Sequence, residues 1–259
     1  MRRIPKLALL IFLCGCGVGQ TSDPIAVLQS GCASPGKILS SEVPETARGY
    51  PYTYQIYLPP CFSGESESRY PVLYLVPGRG GSTDAWFAAG LDDVVDELIL
   101  SEDFPPFIIV ATENIDSDAM AEAIYHDLLP HIEANYPTAR NRKHHAVAGG
   151  SLGGVAAYRL AFQHPDTFSS AGIFGAGAIS GEEERIRGWL SSMHEGNHVR
   201  VFMDTGEQDP LMLERAFVMK SILDDTGIEN QLHSGQGGHT YEYWVGNFEI
   251  YLRWLAKEW

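Results

Sequence analysis

A chain of 259 residues with 44% hydrophobic content has the material for one sizeable core, and 33 acidic against 18 basic residues give it a net charge of −15. Such a surface repels polyanions, which sets nucleic acid aside as a partner and leaves no basic attraction to anionic lipid headgroups. No repeat, charge block or low-complexity tract divides the chain further.

Arg2, Arg3 and Lys6 precede the apolar run Leu7–Leu13, which is too short to span a bilayer and has the charge order of an export signal. The run ends Leu13-Cys14-Gly15-Cys16, similar to a bacterial lipobox with Cys16 as the residue to be lipidated. Residues 1–15 are therefore expected to be a lipoprotein-type signal peptide. The mature chain would be anchored on the periplasmic or cell-surface side, or else secreted, with any membrane association made only through the lipid. Loss of three basic residues and no acidic one would take the net charge from −15 to −18. With Cys14 removed and Cys16 modified, Cys32 and Cys61 remain as an even pair in an oxidising compartment, so a disulfide between them is expected.

Residues 16–45, rich in Gly, Ser and Pro through residue 40, read as a tether, and 46–259 as the folded domain. Tyr50–Leu58 alternates β-formers up to Pro59-Pro60 and predicts an early antiparallel strand. Val72–Val76 is a buried parallel strand by its continuous apolar run, and it empties into Pro77-Gly78-Arg79-Gly80-Gly81. Glycines there let backbone N–H groups face a substrate oxygen, making this loop a candidate for half of an oxyanion hole. A helix over 90–100, a strand at 107–111 and an amphipathic helix over 119–135 follow.

At His145–Gly154 a short apolar strand breaks into Gly149-Gly150-Ser151-Leu152-Gly153 and continues as a helix to about His164. Gly149 and Gly153 flank Ser151 in the spacing G-x-S-x-G, which bends the backbone sharply enough to expose a hydroxyl at a helix start, and Ser151 is the candidate nucleophile. A strand at 171–175, a helix over 182–194, a strand at 199–203, a helix over 211–225, a strand near 229–233 and a final helix over 241–257 complete the pattern. That alternation predicts an α/β fold, a mostly parallel central sheet with helices on both faces, its site at the carboxyl ends of the strands.

A serine nucleophile needs a histidine base oriented by a carboxylate. Among nine histidines, His239 sits in Ser234-Gly235-Gln236-Gly237-Gly238-His239, after a strand and just before the last helix. His194 and His198 flank a loop at the opposite edge and lack the companion ligands of a metal site, so no metal is expected. Asp204-Thr205-Gly206-Glu207-Gln208-Asp209-Pro210 offers three carboxylates, of which Asp209 at the turn tip is preferred, Glu207 next and Asp204 last. Trp86, Tyr125, Tyr243 and Trp244 are candidates to line an aromatic acyl or sugar site. The side chain of Arg79 is a candidate to meet an anionic substrate.

From about 50 to 255 the chain resembles the putative esterase family of α/β-hydrolases, which includes bacterial feruloyl and acetyl-xylan esterases, esterase D type enzymes and mycolyltransferases. The resemblance is carried by YLPPCF, RYPVLYLVPGRGGSTDAW, HDLLPHIEANYPT, AVAGGSLGG, AFQHPDTFSSAGIFGAG, DTGEQDP and GGHTYEYW. It implies a triad of Ser151, Asp209 and His239, and an oxyanion hole from the backbone N–H groups of Arg79 and Leu152. It also implies cofactor-free hydrolysis of a small-molecule or carbohydrate ester. Pro77 stands where the family usually has His, and Cys61 where Gly is common. An acyltransferase on the same fold and a non-catalytic binding lipoprotein are the competing readings, and an intact triad argues against the second.

Overall fold

The computed structural model describes residues 24–44, 46, 51–64, 67–113 and 117–259. The proposed signal segment and Cys16 lie outside the described residues.

Eight strands form one sheet: β1 (Lys37–Val43), β2 (Tyr52–Leu58), β3 (Val72–Val76), β4 (Ile108–Thr112), β5 (His145–Gly150), β6 (Ser170–Phe174), β7 (Arg200–Gly206) and β8 (Asn230–Gly235). Their order is β1-β2-β4-β3-β5-β6-β7-β8, with β2 antiparallel to both neighbours and every pair from β4 to β8 parallel. The helices are α1 (Leu91–Leu100), α2 (Ser117–Ala123), α3 (Leu129–Asn135), α4 (Leu152–Gln163), α5 (Glu183–Ser192), α6 (Pro210–Asp225), α7 (Tyr241–Gly246) and α8 (Phe248–Leu255).

Successive strand side chains point to opposite faces, and β3 shows the result directly. Val72, Tyr74 and Val76 join the apolar layer shared with α2 to α6, whereas Leu73 and Leu75 join the layer under α1, α7 and α8. All five are fully buried, which is why the run reads as continuously apolar. This is the α/β-hydrolase arrangement.

Three local features differ from the sequence expectation. The stretch 37–43, inside the expected tether, is a strand paired with β2 along its whole length. It forms the sheet edge with only Val43 buried, so no alternation of apolar residues marks it. The expected continuous helix over 119–135 is α2, a widened π turn over Ile124–Leu128, and α3. Pro130 has no N–H for the carbonyl of His126, and the chain accommodates this by bonding the Leu129 N–H to the Ile124 carbonyl. The final helix divides at Asn247, whose Nδ2 donates to the Tyr243 carbonyl at 2.8 Å.

The expected disulfide Cys32–Cys61 is present. Cys61 has φ +53°, a left-handed conformation that glycine adopts most easily. Together with the pairing of Ile25 with Arg69, the bond fixes the lead-in segment against the start of β3.

Candidate active site

Ser151 lies between β5 and α4 with φ +55° and ψ −122°, a strained conformation for a residue with a side chain. Its N–H donates to the Phe174 carbonyl at 2.7 Å, which pins the turn to β6. The flanking glycines are sterically required. A Cβ on Gly149 would stand 2.4 Å from the Gly153 backbone, and one on Gly153 would stand 2.2 Å from the Val76 carbonyl oxygen. The helix therefore starts hard against β3, and only that close approach allows so tight a turn. Leu152 contributes the first N–H of α4, which has no acceptor within the helix.

Across from it, Gly78-Arg79-Gly80-Gly81 is a turn closed by Gly81 N–H to the Gly78 carbonyl at 2.9 Å, with Gly80 at φ +66°. A type II turn demands such a φ at its third position and leaves the N–H of its second residue, Arg79, unused. The Tyr241 hydroxyl accepts the Gly78 N–H at 2.8 Å and ties this turn to α7. A Cβ on Gly78 would lie 3.5 Å from the Ser151 Cβ, so the turn and the serine face each other.

His239 and Asp209 come from neighbouring turns. Nδ1 of His239 lies 2.5 Å from Oδ2 of Asp209. The turns are laced together by backbone bonds from Glu207 to Gly235 and from Gln208 to Gly237, both at 2.9 Å. Asp209 is the N-cap of α6 yet makes no capping bond, so its carboxylate is turned to the histidine instead. His239 rests edge-on against the Trp244 ring, 5.2 Å between centroids. It also borders Gly175, where a Cβ would be 3.0 Å from Nδ1. Gly175 directly follows Phe174, the acceptor of the Ser151 N–H, so serine and histidine converge on one peptide.

The other carboxylates of the turn are occupied elsewhere. Glu207 is exposed and accepts from Gln236. Asp204 is fully buried in β7 and accepts the hydroxyls of Tyr243, at 2.8 Å, and Tyr251, with His233 beside it at 3.3 Å. Burial and the adjoining Asp204 carboxylate push both phenols well above their ordinary range. This Asp204 cluster is not marked by any motif in the sequence. The only hint is an aspartate inside an otherwise apolar strand.

A cavity of about 340 Å³ opens at Ser151, lined by Arg79, Leu152, Val155, Ile179, Met212 and Arg215 among others. The expected aromatic wall is not there. Trp86 and Trp244 are buried in the core and pack on one another, with Trp244 also covering Gly150. Tyr243 is committed to Asp204. Tyr125 lies in the π turn, stacked on His164 at the far end of α4 from Ser151. His194 and His198 flank the turn before β7, at the opposite edge of the sheet. Sequence reasoning missed Ile179, Met212 and Arg215 because loop and helix residues enter a site only through tertiary placement.

Residues 46–255 match the family model described as "Putative esterase". Among curated proteins, an uncharacterised protein of Corynebacterium glutamicum is 21% identical over 238 residues, covering 78% of this chain. An endo-1,4-beta-xylanase/feruloyl esterase of Xylanibacter ruminicola is 28% identical over 148 residues, covering 51% of this chain. The chain spans about half the length of the first relative (56%) and a fifth of the second (20%). Among solved structures, a ferulic acid esterase superposes with a TM-score of 0.76 at 24% identity, covering 87% of this chain and 100% of the other.

Proposed function

The chain belongs to the family described as "Putative esterase", and from that premise we propose that it is an exported serine carboxylic ester hydrolase working through Ser151, His239 and Asp209. The observation that carries this reading is the strained Ser151 turn above a cavity, with a histidine and carboxylate paired at 2.5 Å beside it.

Oγ of Ser151 attacks the ester carbonyl while Nε2 of His239 takes its proton; Asp209 holds Nδ1–H and stabilises the imidazolium. The N–H groups of Arg79 and Leu152 receive the oxyanion, because both are fixed and unused before substrate arrives. Collapse expels the alcohol, which recovers the proton from His239. Water then repeats the sequence on the acyl-enzyme and releases the acid. Acylated sugars and aromatic acyl esters are the substrate classes to try first, given the feruloyl and ferulic acid esterases among the similar proteins.

Export rests on the basic-then-apolar order of residues 1–13 and on lipidation at Cys16, and the Cys32–Cys61 bond supports an oxidising compartment. Mass spectrometry of the mature N-terminus tests this, an unmodified terminus beyond Cys16 being the contrary result. For the chemistry, a p-nitrophenyl acyl series from acetate upward, with methyl ferulate, is run on wild type and Ser151→Ala side by side. Turnover in the wild type and its loss in the variant are expected; full activity in Ser151→Ala refutes the assignment.

A further inference from the structure

The cavity at Ser151 has aliphatic walls, with Leu152, Val155, Ile179 and Met212 among them, and is lined as well by two arginines, Arg79 and Arg215. In a chain of net charge −15, that pair is out of place. Several other arginines are occupied: Arg159 pairs with Asp118 and Glu182, Arg187 with Asp225 and Arg253 with Glu249, while Arg142 donates to the carbonyls of Pro165 and Phe168. Among the described residues no carboxylate stands within ion-pair distance of Arg79 or Arg215. Arg79 is exposed and Arg215 half-buried.

Both are held by their backbones. Arg79 sits in the turn that Tyr241 fastens to α7. The Arg215 carbonyl accepts the Ala178 N–H at 3.2 Å, and the chain at Gly177 runs so close that a Cβ there would stand 2.3 Å from that carbonyl oxygen. The two groups thus approach the cavity from opposite elements, the β3 loop and α6. An unpaired guanidinium beside an apolar wall gains from an anionic occupant, and its planar fork suits a carboxylate.

We propose that the ester cleaved at Ser151 carries a carboxylate, held by Arg79 and Arg215 while the aliphatic wall covers the segment between it and the ester bond. This inference rests on Ser151 being the nucleophile. The reaction remains a hydrolysis: water supplies the oxygen joined to the acyl carbon, the ester C–O bond breaks, and the second carboxylate is unchanged.

Two matched pairs test it. Mono-4-nitrophenyl adipate against 4-nitrophenyl hexanoate places the charge on the acyl side; 3-acetoxybenzoate against phenyl acetate places it on the alcohol side. Each rate is normalised to the ester's own hydroxide-catalysed rate. In at least one pair, kcat/KM is expected to be about tenfold higher for the anionic ester, with the ratio falling to near one in the Arg79→Gln/Arg215→Gln double variant. A ratio taken within one protein cancels any loss common to both esters. No anionic preference in either pair, with activity lost in Ser151→Ala, overturns this inference and leaves the nucleophile standing; so does a preference that survives in the double variant. Activity retained in Ser151→Ala overturns the reading beneath it, and no turnover of any of the four esters overturns both.

Discussion

The Tyr241 hydroxyl accepts the Gly78 N–H at 2.8 Å, joining the first residue of α7 to the loop after β3 across 163 positions of sequence. Removal of that oxygen leaves the Arg79 turn unsupported and the Gly78 N–H without its acceptor. Tyr241→Phe is expected to lower kcat about tenfold with KM little changed, since the turn is needed most when the oxyanion forms. Steady-state kinetics on one ester separates the two parameters.

The Asp209 side chain makes no bond to its own helix, so its carboxylate has one partner to lose, His239. Asp209→Asn should drop kcat by about 10⁴, and Ser151→Ala with His239→Ala should cost little more than either alone, if the proposed triad acts as a unit. A simple multiplication of the single losses would show that the residues act independently.

Gly153 has no room for a methyl group. With the Val76 and Pro77 carbonyl oxygens 2.2 and 2.5 Å from its would-be Cβ, only backbone movement could accommodate alanine. Gly153→Ala is expected to destabilise the fold by about 3 kcal/mol or more. Urea unfolding measures this, and an unchanged midpoint contradicts the packing described.

The Cys32–Cys61 bond closes a loop of sequence separation 29. On the chain-entropy account its loss costs about 3.6 kcal/mol. Cys32→Ser/Cys61→Ser should unfold at correspondingly lower urea, and added reductant should shift the wild type but not the variant.

His145 is buried against Tyr74 and Phe168, and burial pushes its imidazole down to about 4. The unfolded chain takes up a proton near pH 6.5 that the folded chain refuses until about 4, so stability falls as pH drops through that window and levels off below it. The loss is about 3 kcal/mol. His145→Phe should flatten this part of the urea-midpoint profile between pH 6.5 and 4, whereas an unaltered profile would assign the acid sensitivity to other groups.

Sequence and structure agree where one residue type had to serve one backbone position. Gly149 and Gly153 around Ser151 are legible because a close approach excludes every other side chain, and His239 because its loop lies at the carboxyl edge of the sheet. The strands β3 to β7 are legible because both their faces are buried. β1 is not, since an exposed edge strand is held by backbone bonds that any residue can make. The aromatic residues mislead for a related reason: Trp86 and Trp244 are large enough for a binding wall, but nothing in a sequence distinguishes the wall from the core behind it. Arg215 is legible only once α6 is seen against the 176–178 loop.

Asp204 binds Tyr243 of α7 and Tyr251 of α8, and its own strand runs on into the turn that carries Asp209. The two C-terminal helices and the His239–Asp209 pair therefore hang from one buried carboxylate, while Ser151 is moored separately to β3 and β6. On warming, loosening of the last twenty residues would dissolve the alignment of base to serine while the sheet is still intact. Heat inactivation would then run ahead of melting, and the assay would register the first part of the molecule to let go.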